Sequence, residues 1–368
     1  MARGYKVLSI IGVLFVVTLS SFGVVLSHNS ACRVPEPVAA DGARMKAIVY
    51  HCYGPPEVLK LEDIAKPAAV DDRMLVRVHA ASVNPLDWHF MRGTPYVMRA
   101  MSGLGTPKSM HMGVDFAGTV ESVGKNVKRF KPGDEVFGGR DGAFGEYVSV
   151  RENGSVALKP ANLTFEQAAA VPIAGITALQ ALRDKGQVRA GQHVLINGAS
   201  GGVGTFAVQI AKAFGAVVTG VCSTRNLEMV RSIGADQVVD YTREDFTEGS
   251  KRYDLIVDTV GTHSLAEYRR VLNPNGVLVI VGAVDKGLWL GALSGALEPM
   301  LASHFGTQKY VFMLAEMNKE DLGVLGDLMQ TGKLTPVIDK RYSLREVPEA
   351  MGYLEQGHAR GKVVITLD

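Results

Sequence analysis

A glycine-rich turn is the part of this sequence best suited to binding a charged cofactor. The stretch HVLINGASGGVGTFAVQIAKAFGA puts the turn between an apolar strand and a helix, the context in which such glycines bind a dinucleotide. Gly201 lets the backbone approach a pyrophosphate, Gly204 lets the helix pack closely on the strand, and the helix N-terminus supplies N–H groups for the anion. The first glycine of the usual fingerprint is replaced by Ala199. We therefore predict a dinucleotide site formed by Ala199, Ser200, Gly201, Gly202, Val203 and Gly204.

The residues GVCSTRN, which end the next predicted strand, favour NADPH over NADH. An NAD enzyme usually carries Asp or Glu at this place to hold the ribose 2′-hydroxyl. A carboxylate would repel a 2′-phosphate, whereas Ser223 and Thr224 can donate hydrogen bonds and Arg225 can bind the phosphate through paired N–H groups. The alternative for Arg225 is a solvated charge at a helix start. Tyr241 can flank the adenosine, although ordinary surface exposure is an equal alternative.

Composition narrows the class of protein. The chain has 368 residues, of which 47% are hydrophobic and 21% charged, as expected for a globular protein with two domains. A net charge of +2 with interspersed signs offers no basic surface for nucleic acid. Cys32, Cys52 and Cys222 lie far apart and form no CxxC pair, so we expect neither a zinc lobe nor a disulfide framework. Such an odd count fits a reducing compartment or thiols without a role.

The first 44 residues are predicted to be a membrane segment and a linker. Arg3 and Lys6 precede an uncharged apolar run from Val7 to Leu26, long enough at ~1.5 Å per residue to cross a ~30 Å hydrocarbon core. We interpret this run as a signal anchor, with retention slightly favoured over cleavage. The preceding charges predict export of the rest of the chain, which conflicts with an intracellular cofactor. The opposite orientation stays open, as does a cytoplasmic protein translated from Met45.

The remaining chain divides into three segments with different patterns. From 45 to 165, short alternating apolar strands with spaced Gly, Pro and Asp predict a compact β-rich domain. From 166 to 316, short continuous apolar strands alternate with helices, which predicts a buried parallel sheet with right-handed crossovers. From 317 to 368, a helix leads to a β-rich tail that we expect to return to the first domain. The predicted fold class is therefore α/β, preceded by a membrane helix.

These segments together resemble the medium-chain dehydrogenase/reductase superfamily, specifically its zinc-free quinone oxidoreductase branch, which includes zeta-crystallin. The resemblance covers Met45 to Asp368 and rests on ASVNPLDW, GVDFAGTVESVG, KPGDEVFG, EYV, PIAGITALQAL, NGASGGVG, SIGADQVVDY and GHARGKVVITL. It implies a Rossmann dinucleotide domain, a doubly wound parallel sheet, between two parts of a GroES-like catalytic domain. It also implies a homodimer paired through the edge of the nucleotide-binding sheet.

The resemblance further implies a site without metal. Zinc-dependent relatives have a Cys ligand where this chain has Asn84 and a His ligand where it has Val114, and the lobe with four Cys is missing. A catalytic zinc needs three protein ligands and an open position. His89 and His111 lie near these segments, but two histidines without a third ligand are more often surface or hydrogen-bonded loop residues.

The absence of a Lewis acid limits the expected substrate. An alcohol or a plain ketone would react poorly, because nothing strong would stabilise the alkoxide or polarise the carbonyl. A quinone or an α,β-unsaturated carbonyl spreads the negative charge over a conjugated system. We therefore expect an NADPH-dependent, zinc-independent reductase of quinones or enones. A membrane-anchored NADPH-binding module with little or no catalysis is the alternative.

The resemblance also suggests residues of the cleft. Asn84 is carried over as a residue that can donate a hydrogen bond to the ribose or to the acceptor's oxygen, although capping of the loop before a proline is an alternative. Trp88 and Tyr96 are weaker candidates for the acceptor wall, each as easily explained by ordinary packing. Val260 in VDTVG and Gly282 in VIVGAV end predicted strands on the cofactor side.

Overall fold

Residues 23–33, 42–281 and 306–367 are described by the computed structural model. Most of the predicted membrane segment from Val7 to Leu26 lies outside these residues, as does Gly282 of the predicted cofactor site. In the described part of the chain, no helix is both long enough and apolar enough to cross a membrane.

One sheet is mainly antiparallel and forms the predicted β-rich domain. Its strands and the hairpin beside it are β1 (Arg44–Val49), β2 (Lys60–Ala65), β3 (Arg73–Val83), β4 (Asp115–Val123), β5 (Glu135–Gly139), β6 (Tyr147–Arg151), β7 (Val156–Leu158), β14 (Ile338–Ser343) and β15 (Lys362–Thr366). The sheet order is β14-β15-β3-β4-β5-β7, with β6 on β3, while β1 and β2 pair with each other. Within β3, Val76 and Val78 are buried and alternate with Arg77 and His79, as expected for a half-covered sheet.

The other sheet is parallel throughout. Its strands are β8 (His193–Asn197), β9 (Val217–Cys222), β10 (Gln237–Asp240), β11 (Tyr253–Asp258), β12 (Leu272–Val281) and β13 (Lys309–Met313). They lie in the order β10-β9-β8-β11-β12-β13, so the chain leaves β8 in one direction and returns on its other side. This is the doubly wound order, and it confirms the predicted buried parallel sheet. Val194, Leu195 and Ile196 of β8 have no exposed surface, because helices cover both faces.

The helices connect and cover these strands. They are α1 (Pro85–Arg92), α2 (Arg99–Ser102), α3 (Phe165–Ala169), α4 (Pro172–Gln180), α5 (Gly202–Ala213), α6 (Leu227–Ser232), α7 (Leu265–Val271), α8 (Lys319–Gln330) and α9 (Val347–Glu355). A single π-helical turn, Ala181–Lys185, extends α4. Thr164 caps α3 and Ser264 caps α7, each accepting the N–H of the third helical residue.

The segment after residue 317 packs against the parallel sheet and then adds strands to the antiparallel sheet. Leu322, Leu325 and Met329 of α8 pack into the apolar cluster beneath the parallel sheet. β15 then pairs antiparallel with β3, with Val363 opposite Val83. The last described strand therefore lies inside the first sheet, between β14 and β3, although more than 270 residues separate some of the residues that meet there.

Residues 23–33, here called the N-terminal strap, lie against the domain built on the antiparallel sheet. Residues 23–27 are helical, and Leu26 is only 4% exposed. The buried guanidinium of Arg99 donates hydrogen bonds to Leu26 O and His28 O, each at 3.1 Å. These residues are therefore packed on the domain, where the end of the membrane segment and the start of the linker had been predicted.

The strap is also tied covalently. Cys32 and Cys52 form a disulfide bond, whereas Cys222 is a buried thiol. The expectation that no disulfide forms is wrong. The spacing of the cysteines in the sequence could not predict this bond, because tertiary contacts bring Cys32 and Cys52 together. One such contact is the hydrogen bond that Arg33 N donates to His51 O. A disulfide of this kind is typical of an oxidising compartment and argues against the reducing compartment expected from the cysteine count.

Candidate active site

The predicted phosphate turn joins β8 to α5. Gly198 has a φ of 84°, in the left-handed region that glycine adopts at little cost, and it makes the first change of direction. Gly201 N donates to Gly198 O at 3.0 Å, and α5 begins at Gly202. At Gly204 a Cβ atom would lie 2.0 Å from Gly198 O, so a larger residue would displace the turn. The result is a tight loop followed by a helix N-terminus, whose first N–H groups have no acceptor within the helix.

The loop after β11 packs on this turn. A Cβ atom at Gly198 would lie 2.4 Å from Thr259 Oγ1 and 2.6 Å from Val260 Cγ2. Asp258 Oδ1 holds the loop by accepting the N–H groups of Val260 and Gly261 at 3.0 and 2.9 Å. Val260, a predicted cofactor contact, therefore lies beside the phosphate turn with 43% of its surface exposed.

The strand β15 approaches the turn from the first domain. Gly201 and Gly361 form a parallel backbone bridge. The side chain of Lys362 follows at once, and its Cδ would lie 3.3 Å from a Cβ atom at Gly202. A basic side chain that the sequence did not point to is thus placed between the two domains, directly against the phosphate turn.

The predicted 2′-phosphate residues lie at the carboxyl end of β9. The hydroxyl of Thr224 donates to Asp240 Oδ2 at 2.5 Å, which lowers the pKa of that carboxyl group. The hydrogen that we expected Thr224 to offer a phosphate is therefore engaged, because a carboxylate at the end of β10 accepts it. Arg225 is exposed, and its Nη2 donates to His358 O at 3.0 Å. Tyr241, which follows β10, is 57% exposed.

Asn84, at the end of β3, belongs to a buried polar cluster and is only 1% exposed. Its Nδ2 donates to Asp115 Oδ2 at 2.9 Å and to Ser82 O at 3.3 Å. Its Oδ1 accepts from Lys362 Nζ at 2.5 Å, and its backbone N–H donates to Asp87 Oδ2 at 2.7 Å. Both amide hydrogens are engaged in this arrangement, so donation to a ribose or an acceptor would require them to be released. The role of Asn84 in the cleft stays a prediction.

Burial shifts the ionisable groups of this cluster towards their neutral forms. It raises the pKa of Asp87 to about 8, against the lowering effect of the Asn84 N–H. It raises the pKa of Asp115 and lowers the pKa of Lys362, although each partner opposes the shift of the other. Asp115 Oδ2 and Lys362 Nζ are 3.7 Å apart, so the charge of each group partly offsets the cost of burying the other.

The two weaker candidates for the acceptor wall have aromatic or cationic partners close to them in sequence. Trp88 stacks on His89 with 3.7 Å between ring centroids. The ring of Tyr96 lies 4.7 Å from the Arg99 guanidinium, which also packs on Tyr53 at 4.5 Å. Both side chains are half-buried. Their contact with an acceptor stays a prediction.

The two histidines near the predicted cleft have different partners. His89 Nδ1 lies 2.8 Å from Thr94 O, and His111 Nδ1 lies 3.4 Å from Ser109 Oγ. Across residues 23–33, 42–281 and 306–367, no three His, Cys, Asp or Glu side chains form a group that could hold a metal ion.

The structure brings most of the predicted cofactor residues together at the carboxyl ends of the parallel strands. The phosphate turn fits a pyrophosphate, because a Cβ atom at Gly201 would have no neighbour closer than 3.4 Å, which leaves space for a ligand, and the helix N-terminus follows directly. Four further residues of this region were missed by sequence reasoning: Gly198, Asp115, Asn226 and Lys362. Only Gly198 carried a signal, as a glycine directly after a predicted strand.

Two family descriptions match the chain. Residues 70–161 match an alcohol dehydrogenase GroES-like domain, and residues 233–365 match a zinc-binding dehydrogenase domain. The first covers most of the antiparallel sheet, and the second covers the later strands of the parallel sheet and the return to β15.

Curated relatives and solved structures match nearly the whole chain. A 2-methylene-furan-3-one reductase from Solanum lycopersicum is 36% identical over 338 residues, which cover 88% of this chain and 79% of the relative. A chloroplastic NADPH-dependent alkenal/one oxidoreductase from Arabidopsis thaliana is 35% identical over 350 residues, with 89% and 82% covered. The structure of a quinone oxidoreductase from Coxiella burnetii superposes with a TM-score of 0.77 at 33% identity, covering 89% of this chain and 100% of that one.

Proposed function

The chain belongs to the medium-chain dehydrogenase/reductase superfamily, and from this premise we propose that it is an NADPH-dependent, zinc-independent oxidoreductase that reduces a quinone or an α,β-unsaturated carbonyl. It is an NAD(P)H-dependent enzyme at the level of the family. We propose, beyond this family-level activity, the preference for NADPH, the independence from zinc and the class of acceptor.

The observation that carries the proposal is the position of the phosphate turn against a buried polar cluster. The bridge between Gly201 and Gly361 brings Lys362 next to the turn, and Lys362 in turn contacts Asn84, which supports a cofactor site adjacent to the predicted cleft. When bound, NADPH supplies the hydride, and a proton from water completes the two-electron reduction of the acceptor. The residues of the chain hold and orient the reactants and exclude bulk water.

The residues after β9 support NADPH over NADH. Ser223, Thr224 and Arg225 stand where NAD enzymes carry a carboxylate for the ribose 2′-hydroxyl. Arg225 is exposed, and its guanidinium has N–H groups beyond the one that contacts His358 O. The Arabidopsis relative, by its name, is NADPH-dependent, which agrees with this assignment.

The choice of acceptor follows from the residues at the expected zinc positions. Asn84 and Val114 replace the ligands of zinc-dependent relatives, and Asn84 is already bonded to Asp115 and Lys362. An acceptor that delocalises negative charge needs only hydrogen bonds, whereas an isolated ketone needs a Lewis acid. The similar proteins are named for enone and quinone substrates, and both classes are kept in the proposal.

Initial-rate assays of the purified protein test this function. NADPH and NADH oxidation would be measured with an ortho-quinone, a long-chain enone and an alcohol–ketone pair, each with and without a chelator. We expect chelator-resistant turnover that prefers NADPH and one of the first two acceptors. Chelator-sensitive oxidation of the alcohol would contradict the proposal. Tight NADPH binding without turnover would favour a binding module with little catalysis.

The edge of the parallel sheet supports the predicted homodimer. Among the described strands, β13 is the outermost one next to β12. An edge strand offers a row of backbone N–H and C=O groups that a second copy can pair with. Light scattering after size exclusion should give twice the mass of the chain. A proline in place of Val311, in the middle of β13, should then give the monomer mass.

The N-terminal residues before the strap supply the prediction of membrane attachment. The uncharged run from Val7 to Leu26 supports it through the residues before 23, because residues 23–26 belong to the strap and pack on the domain. The disulfide between Cys32 and Cys52 supports exposure to an oxidising compartment. Fractionation of cells, followed by a carbonate wash and alkylation of free thiols, tests both. Release by the wash would contradict the attachment, and alkylation of Cys32 without reductant would contradict the compartment.

A further inference from the structure

Asn226 is a buried amide that links the two ends of the predicted cofactor site. It follows Ser223 by three residues and is 4% exposed. Its Nδ2 donates to Ser200 Oγ, in the phosphate turn, at 3.0 Å and to Ser223 Oγ, at the end of β9, at 3.2 Å. Its Oδ1 is buried without a hydrogen-bond partner. A buried polar atom without a partner is rare, and the hydrogen bonds of the amide nitrogen offer an explanation for this one.

The direction of these two hydrogen bonds decides what the serines can do. A hydroxyl has one hydrogen to donate and can accept two hydrogen bonds. Ser200 and Ser223 both accept from Asn226, and neither donates to another group in the described part of the chain. Each therefore keeps its hydrogen for an anion, and each is half-buried at the edge of the sheet where the cofactor is expected.

The reverse orientation of the Asn226 side-chain amide, with Oδ1 facing the serines, would be less stable than the observed one. If Oδ1 faced the serines, it would accept both hydroxyl hydrogens, and an NH2 group with two hydrogens would be left unpaired in the interior. A buried N–H without a partner is rarer than a carbonyl oxygen without one. The observed orientation of Asn226 leaves only one acceptor unpaired.

Thr224, unlike Ser223, has a hydroxyl hydrogen that is already engaged. Its hydroxyl donates to Asp240 Oδ2, so its hydrogen is used within the protein. Of the two hydroxyl groups after β9, only that of Ser223 retains a hydrogen, because its hydrogen-bond partner is the amide donor of Asn226.

We propose that Asn226 is a positioning residue that directs the hydroxyl hydrogens of Ser200 and Ser223 to the pyrophosphate and the 2′-phosphate of NADPH. This inference rests on the proposed function and names the residue that couples its two phosphate sites. Ser200 serves both NADPH and NADH, because both contain the pyrophosphate. Ser223 serves NADPH alone, so the loss of Asn226 lowers selectivity as well as affinity.

Dissociation constants test this role without catalysis. NADPH, NADH and 2′,5′-ADP would be titrated by calorimetry into the wild type and into the Asn226→Ala, Asn226→Asp, Ser223→Ala and Ser223→Ala/Asn226→Ala variants. We expect Asn226→Ala to weaken NADPH roughly tenfold, the value of one hydrogen bond to a charged group, and NADH by less. Asn226→Asp keeps the shape of the side chain but accepts both hydroxyl hydrogens and adds a negative charge. It should weaken NADPH and 2′,5′-ADP by at least roughly a hundredfold.

The double variant separates positioning from a general structural effect. If Asn226 acts through Ser223, removing it in the Ser223→Ala background should leave the NADPH to NADH selectivity unchanged. A further loss of selectivity in that background would overturn the inference, and so would wild-type affinity in Asn226→Asp. The proposed function is judged by the wild type alone: equal affinity for NADPH and NADH would reject its cofactor preference and the role of Asn226 together. Selective wild-type binding with unaffected variants would reject only Asn226.

Discussion

Gly201 and Gly361 form a parallel backbone bridge that joins the phosphate turn to the start of β15. The next residue, Lys362, reaches Asn84 Oδ1 at 2.5 Å and lies 3.7 Å from Asp115 Oδ2. One short segment of β15 thus contacts both the cofactor turn and the buried cluster of the other domain. A substitution in the phosphate turn should therefore alter the buried cluster, and a substitution in the cluster should alter the turn.

Replacing Lys362 should destabilise the protein, because Asp115 would lose the cation that opposes its burial. We expect Lys362→Met to lower the free energy of unfolding by about 3 kcal/mol, the usual effect of breaking a buried ion pair from one side. Asp115→Asn in addition should recover part of this loss. Urea unfolding measures both variants, with the exposed Lys333→Met as the control. Equal losses in the control and in Lys362→Met would contradict the prediction.

Two glycines of the phosphate turn should respond differently to alanine. A Cβ atom at Gly204 would lie 2.0 Å from Gly198 O, whereas at Gly201 the nearest atom would be 3.4 Å away. We expect Gly204→Ala to lower the free energy of unfolding by about 2 kcal/mol or more. Gly201→Ala should keep its stability and lose NADPH affinity, because the methyl group stands where a phosphate would approach. Thermal unfolding and NADPH titration of both variants check this contrast, which similar stabilities would refute.

Arg225 should matter for NADPH but not for NADH. We propose its exposed guanidinium as a group that binds the 2′-phosphate, which NADH lacks. We expect Arg225→Ala to weaken NADPH about tenfold or more and to leave NADH unchanged. Arg189→Ala is the matched control, since Arg189 precedes β8 at the opposite edge of the same sheet. Parallel losses for both cofactors would remove Arg225 from the 2′-phosphate site.

Asp87 should make stability fall as the pH rises. Burial raises its pKa to about 8, so the folded protein keeps a proton that the unfolded chain loses near its ordinary pKa of 3.8. The stabilisation is complete below that value and is lost as the pH rises towards about 8, by roughly 1 kcal/mol per unit. Asp87→Asn should remove this slope. Urea midpoints of both proteins between about pH 5 and pH 8 measure it, and parallel curves would count against the prediction.

The disulfide should hold the N-terminal strap in place. Cys32→Ser/Cys52→Ser leaves only noncovalent contacts, such as the buried Leu26 side chain and the hydrogen bonds to Arg99 and His51, so residues 23–33 should detach more often. Hydrogen exchange of the strap should become faster in this variant. Cys222→Ser, which alters only a buried thiol, is the control. Unchanged exchange in the strap would show that the noncovalent contacts are sufficient.

The parts of the fold that follow from local pattern were predictable. The continuous apolar strands predicted the parallel sheet, and the glycines between a strand and a helix predicted the phosphate turn. Both patterns involve residues that are neighbours in sequence, so sequence alone reveals them. Sequence alone could not reveal the pairing of Lys362 with Asn84, which lie 278 residues apart. The disulfide and the engaged hydroxyl of Thr224 were missed for the same reason, since each depends on a partner in a different strand or segment.

The position of β15 between β14 and β3 sets an order for folding during synthesis. All described strands of the parallel sheet have been made once Met313 has left the ribosome, and α8, which ends at Gln330, then completes the core beneath them. The antiparallel sheet, although its first strands are made earlier, lacks the strand between β3 and β14 until Lys362–Thr366 have been made. The domain that is translated first is therefore finished last, and its partly formed sheet leaves the edge of β3 open until then.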